Sequence, residues 1–219
     1  MSSKIDWTLC LVTDRDMMAT QSSIEECVEQ AILGGCGIVQ LREKTACARE
    51  FYEIALRLRA LTGRLGAALV INDRADIALA CGADGVHVGQ GDLPCRAAIS
   101  VLGPGKIVGV SASTVAEAIV ARHAGASYVG AGAIFPTATK PDAEISGLER
   151  LRKMRAAVDI PIIAIGGIAP ANAAGLGETG IDGIAVVSAI AARGDPADAA
   201  RELKALFLQG LAQARASKP

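Results

Sequence analysis

A few short stretches of this 219-residue chain concentrate side chains that handle phosphate and metal ions. "QLREK" (Gln40, Leu41, Arg42, Glu43, Lys44) sets Arg42 and Lys44 two positions apart. In an extended segment alternate residues point to one side, so both cations can serve one ligand. Arg suits a bidentate phosphate contact, and Lys supplies a mobile point charge. Taken alone, the stretch reads equally well as a solvated charged loop. "NDR" supplies Asn72, whose amide can pair with a heterocycle edge, and Asp73, a hard oxygen ligand. "GQGD" supplies a second carboxylate, Asp92. Mg²⁺ is typically held by one or two carboxylates, waters and substrate phosphate, so two aspartates suffice. Two carboxylates also serve glycosidases, but the nearby Arg and Lys favour phosphate. Asp92 precedes "LPC", where a helix cap is its competing role. Asp76 and Asp84 read as helix surface and turn.

Later stretches add neutral groups. In "VSAST", Ser111 can bond a ligand, while Ser113 or Thr114 caps the next helix and Glu117 closes a capping box. "PTATKPDA" presents Thr137, Thr139 and Lys140 between two prolines, which end regular structure there. "GGI" and "VVSAI" offer Gly166, Gly167 and Ser188. Glycine lets a ligand approach the backbone, and loops of this kind bind phosphate through N–H groups. Arg42, Lys44, Lys140 and one Mg²⁺, set against Asp73 and Asp92, leave a positive site. That balance suits a diphosphate, which carries roughly −3 near neutral pH. A second, separate monophosphate fits the glycine and serine loops, and two phosphorylated ligands in one site suggest a transferase with diphosphate leaving. No GxSxG elbow occurs. His87 lies in a strand, where it lines or packs, and His123 lies late in a helix, where it favours the dipole.

These residues need a scaffold that brings them together. Eight apolar runs recur: Leu9–Thr13, Gly37–Leu41, Ala67–Ile71, Gly85–Val88, Lys106–Val110, Tyr128–Gly132, Pro161–Ile165 and Gly183–Val187. They lack clean alternation, as expected of strands buried on both faces. Helical patterns lie between them, several ending in Gly, a common helix stop. Strand–helix alternation at roughly 25 residues per unit predicts an α/β fold, a (β/α)₈ TIM barrel in a single domain spanning 1–219. Its active site lies at the carboxyl ends of the strands, where every stretch above falls. A doubly wound open sheet is the alternative, weakened by the absence of an opening GxGxxG. The tail after Gln209 is expected to fray.

Apolar residues make up 51%, which excludes a disordered chain. Aromatics are 3% and net charge is −1, so neither a basic face nor stacking rings point to nucleic acid. No apolar run reaches membrane-spanning length, and "MSSKIDWTLC" lacks the pattern of a secretory signal. A soluble cytoplasmic protein is expected. The six cysteines form no CxxC or zinc spacing and read as small core residues in a reducing compartment. A homo-oligomer is compatible with the sequence, which does not specify one.

Taken together, "QLREK", "INDRADIALACGADGVHVGQGDLP", "VGVSAS", "GAIFPTATKPDA", "IAIGGI" and "IAVVSAI" resemble the thiamine-phosphate synthase family. They follow the family's order over nearly the whole chain. The resemblance implies that a hydroxymethylpyrimidine diphosphate is joined to a thiazole monophosphate, giving thiamine phosphate and diphosphate. It implies that Gln40, Leu41, Arg42, Glu43, Lys44, Asn72, Ser111 and Lys140 bind the pyrimidine diphosphate. Arg42, Lys44 and Lys140 would stabilise the leaving group, and Asp73 and Asp92 would hold Mg²⁺. Thr137, Ala138, Thr139, Gly167, Val187 and Ser188 would bind the thiazole phosphate. It further implies that diphosphate departs first, leaving a pyrimidine-methyl cation that the thiazole nitrogen attacks. Ser113 stands where many relatives carry His, and Ala133 where Pro is frequent. The paralogous thiazole tautomerase depends on that His and often loses the metal carboxylates, so this sequence favours the synthase. A non-catalytic sensor of a thiamine precursor is the alternative from a different class.

Overall fold

The computed structural model describes residues 5–18, 23–137 and 147–216. Eight parallel strands close on themselves in sequence order: β1 (Leu9–Val12), β2 (Ile38–Leu41), β3 (Ala68–Asn72), β4 (Gly85–Val88), β5 (Ile107–Ala112), β6 (Tyr128–Ala131), β7 (Ile162–Ile165) and β8 (Gly183–Val186). Each predicted run overlaps one strand, with ends shifted by at most two residues. Closure is made by β1 on β8, where Cys10 pairs with Ala185. Nine helices are present among the described residues: α1 (Ile24–Leu33), α2 (Ala48–Leu65), α3 (Ala75–Ala80), α4 (Cys95–Leu102), α5 (Val115–Ala124), α6 (Gly147–Ala157), α7 (Pro170–Gly177), α8 (Ser188–Ala191) and α9 (Pro196–Ala216). None is long and apolar enough to cross a membrane.

Strand alternation divides the apolar residues into two cores. Cys10, Val12, Ile38, Val70, Ile107, Tyr128, Ile163 and Ala185 fill the barrel interior. Their neighbours in sequence, including Leu9, Leu11, Val39, Leu41, Leu69 and Ile71, pack outward against the helices. This is why the runs lack polar alternation: both faces of every strand are buried.

Local signals set the helix starts. Ser23 caps α1 by accepting from the Glu26 N–H at 3.1 Å. At α5 the cap is Thr114, not Ser113. The Thr114 hydroxyl accepts from Glu117 N–H at 3.2 Å, and the Glu117 carboxylate accepts from Thr114 N–H at 3.3 Å. Such a cap is worth about 1 kcal/mol.

One expectation is corrected. The chain does not fray from Gly210: α9 runs through it to Ala216. A Cβ at Gly210 would lie 1.9 Å from the Ala174 carbonyl oxygen. This glycine therefore permits close helix packing of α9 on α7, and packing holds the segment helical where sequence alone suggested a stop.

Candidate functional site

The strands' carboxyl ends open onto a cavity of about 390 Å³. Along "QLREK" the alternation continues past β2. Gln40, Arg42 and Lys44 line the cavity, while the two intervening residues turn away. Leu41 is fully buried in the outer core. The Glu43 side chain, 3% exposed, accepts from Arg15 Nε at 3.1 Å. Period-two geometry thus sends the Leu41 and Glu43 side chains outward, which leaves only their backbone to serve a ligand in the cavity.

Two ion pairs organise this side of the mouth. Arg42 Nη1 lies 3.2 Å from Asp14 Oδ2, and the Arg42 N–H donates to Thr13 Oγ1 at 3.0 Å. Lys44 Nζ donates to Asp73 Oδ2 at 2.9 Å. Asp73 is the one non-glycine residue with positive φ (64°) among the described residues. Its N–H donates to the His87 carbonyl at 2.7 Å, which helps to hold this uncommon conformation. Asp92 lines the same cavity. Its Oδ2 accepts from the Gly89 N–H at 2.8 Å and closes the "GQGD" turn. The helix-cap role does not hold, since Pro94 occupies the N-cap of α4 with no side-chain cap bond. Asp73 and Asp92 are two oxygen donors on one cavity, with no cluster of three or more metal-ligating side chains among the described residues. That sparse donor set fits Mg²⁺, which keeps waters and takes substrate phosphate.

The loops after β7 and β8 are built differently. Gly166 and Gly167 have φ of 102° and 65°. A Cβ on Gly167 would lie 2.4 Å from the Pro136 carbonyl oxygen and 2.7 Å from Phe135 Cβ. Only glycine fits there, and its backbone forms part of the cavity wall. Asn172, at the start of α7, holds the loop from behind. Its Nδ2 donates to the Gly167 carbonyl and its Oδ1 accepts from the Ala169 N–H, both at 2.9 Å. Val187 and Ser188 line the wall where α8 begins, and Thr137 lines it after β6. Ala138, Thr139 and Lys140 lie outside the described residues.

The floor is a buried polar chain. His87 Nδ1 lies 2.8 Å from Tyr128 Oη, and His87 Nε2 lies 2.9 Å from Ser111 Oγ. The Gln40 side chain bonds the Tyr128 hydroxyl. Outside this chain, the exposed Gln90 donates from Nε2 to the Ser111 carbonyl at 2.6 Å. Burial pushes the Tyr128 phenol well above its ordinary range, so it stays neutral. Asn72 also lines the cavity. Cys10 lies at the floor with its thiol pushed up to about 12 by burial, which makes it a poor nucleophile. Sequence reasoning missed Tyr128, Asp14 and Asn172, and found His87 only as a lining or packing residue. A signal was present for the ring pair. Gly109 and Gly130 occupy inward positions on β5 and β6, where a Cβ would lie 2.2 Å from Tyr128 Cζ and 2.7 Å from His87 Cε1.

Comparison with known proteins adds an independent line. A family model described as "Thiamine monophosphate synthase" matches residues 9–190. The chain is 52% identical to a thiamine-phosphate synthase of Ruminiclostridium cellulolyticum, over 95% of this chain and 99% of that one. It is 48% identical to a thiamine-phosphate synthase of Clostridium beijerinckii, over 95% of this chain and the full length of that one. Among solved structures, a thiamine phosphate pyrophosphorylase from Pyrococcus furiosus superposes with a TM-score of 0.87 at 41% identity, covering 94% of this chain and 98% of that one.

Proposed function

The chain belongs to the thiamine monophosphate synthase family, and we propose that it joins a hydroxymethylpyrimidine diphosphate to a thiazole monophosphate. The products are thiamine phosphate and diphosphate. One observation carries this reading: a single cavity is lined by Arg42, Lys44, Asp73 and Asp92 on one side and by Gly167, Val187 and Ser188 on the other. In a closed eight-stranded barrel the loop after β3 lies across the mouth from the loop after β7. The arrangement suits two phosphorylated ligands meeting between the two sides.

In this reading Arg42 and Lys44, joined by Lys140, bind the diphosphate and stabilise the charge that builds on it. Mg²⁺ held by Asp73 and Asp92 would supply two further positive charges to the same diphosphate. The bond from the pyrimidine methylene carbon to the diphosphate oxygen breaks, and its electron pair leaves with the oxygen. The resulting cation is stabilised by the pyrimidine amino group. The thiazole nitrogen lone pair then forms the new carbon–nitrogen bond. No protein nucleophile and no protein-mediated proton transfer are needed. The protein contributes orientation and charge stabilisation. Gln40, Asn72 and Ser111 hold the pyrimidine over the buried floor. Thr137, Ala138 and Thr139, with the Gly167 and Ser188 backbone, receive the thiazole phosphate.

The residues support this reading over the tautomerase, because the end of β5 and the loop after it carry Ser111 and Ser113 and no histidine. Ser113 is engaged elsewhere, its hydroxyl donating to the Gly132 carbonyl at 3.4 Å. A sensor of one phosphorylated precursor has no use for the paired carboxylates. The test supplies purified protein with both phosphorylated precursors and Mg²⁺ and follows diphosphate and thiamine phosphate. Stoichiometric formation of both is expected. Folded protein that releases neither above background would sink the proposal.

A further inference from the structure

The ion pair between Lys44 and Asp73 joins two groups that the proposed reaction needs apart. Lys44 is assigned to the diphosphate, and Asp73 to the metal. Yet Lys44 Nζ sits 2.9 Å from Asp73 Oδ2, so its positive charge lies against the carboxylate that would hold a divalent cation. The Asp73 side chain is only 28% exposed, and its backbone is fixed by positive φ and by the N–H bond to His87. The Lys44 side chain is 52% exposed and sits on a flexible stem. Of the two partners, Lys44 is the one built to move. Arg42 provides the contrast. Its partner Asp14 is not a proposed metal ligand, so that pair can persist when substrate binds.

We infer that Lys44 guards Asp73 in the ligand-free enzyme and yields it only when diphosphate is present. An ammonium beside the carboxylate repels an incoming divalent cation and must be displaced. Free diphosphate oxygens give Lys44 a more highly charged partner, so its transfer releases Asp73 at the moment the cation is needed. Metal and diphosphate binding are therefore positively coupled through one side chain, and by linkage the coupling is reciprocal. This rests on the assignment of Asp73 and Asp92 as the metal carboxylates.

The test needs no turnover. Mn²⁺ alone is titrated into the intact protein, with free Mn²⁺ followed by electron paramagnetic resonance. Separately, inorganic diphosphate is titrated calorimetrically with and without Mg²⁺. Lys44→Gln should bind Mn²⁺ alone about five- to tenfold more tightly than the unmodified protein, the scale of a partly exposed ion pair plus like-charge repulsion. Lys44→Arg, which keeps the charge, should remain weak. Circular dichroism establishes that both variants are folded. Equal Mn²⁺ affinity in Lys44→Gln and the unmodified protein would overturn the guard, as would weaker binding in Lys44→Gln. The underlying assignment fails by a different result: Mg²⁺ leaves diphosphate affinity unchanged in the unmodified protein, and Asp73→Asn leaves Mn²⁺ binding unchanged in Lys44→Gln.

Discussion

Across the mouth of the barrel, the loops after β2, β3 and β4 contribute Arg42, Lys44, Asp73 and Asp92 to the cavity, while the loops after β7 and β8 contribute no charged side chain. Both sides are proposed to bind phosphate. The first uses ionic side chains, and each cation rests on a carboxylate, Asp14 or Asp73. The second uses backbone, held in place by glycine contacts and by Asn172. Side chains can change partners as charge moves onto a leaving group. A backbone loop cannot, and it suits a phosphate that stays bonded to its substrate throughout. The contrast follows the chemistry: bond cleavage on one side, anchoring on the other.

The contrast is broken most directly by Arg42→Ala. Turnover should fall by about 10²–10³-fold, the effect of removing one preorganised charge-stabilising group. Steady-state kinetics should show the loss in kcat, and a change confined to KM would assign Arg42 to simple binding. Gly167→Ala attacks the other side, because φ of 65° and the Pro136 carbonyl leave no room for a methyl. Stability should drop by about 1–3 kcal/mol in denaturant unfolding. The KM for thiazole phosphate should rise while that for the pyrimidine diphosphate holds.

The floor belongs to neither side, which Tyr128→Phe should reveal. Losing the hydroxyl leaves buried His87 and Gln40 groups short of a partner, at a cost of about 1–3 kcal/mol. The same variant carries a pH signature. The Tyr128 pKa is raised by burial above its ordinary 10.0. Its contribution to stability is therefore complete below pH 10 and lost as pH climbs from there toward the folded value. Tyr128→Phe should show a shallower alkaline decline in unfolding free energy, and identical slopes would remove Tyr128 from that account. The smallest effect is expected for Asn172→Ala. Loss of its bond to Gly167 should raise the KM for thiazole phosphate about fivefold, on the scale of one hydrogen bond, with kcat and the other KM little changed.

Much of this was legible in the residues. Eight runs buried on both faces specify a parallel barrel, and strand ends in a barrel share one mouth, so Arg42, Asn72, Asp73, Asp92, Ser111 and Gly167 could be gathered without coordinates. What escaped depends on direction and on distance across the fold. "QLREK" reads as one cluster, yet alternation sends Glu43 to Arg15 and Lys44 to Asp73. Gly210 carries the identity of a helix stop, and only the nearness of Ala174 reveals it as a contact. The helices α4, α7 and α8 have eight residues or fewer, so each offers at most about two turns in which a period can show. His87 and Tyr128 are separated by 41 positions, and nothing local announces their bond.

Gly109 and Gly130 carry a consequence beyond accommodating those rings. The depth of the barrel mouth is set by atoms that are missing. Two absent methyl groups let the imidazole and phenol lie low, and the space above them is where a flat heterocycle can rest. A single methyl at either position would displace a ring and reshape the vessel without altering any group assigned to phosphate. Substrate size in such a barrel can therefore be retuned through residues packed against the rings, with the phosphate-binding groups left unchanged.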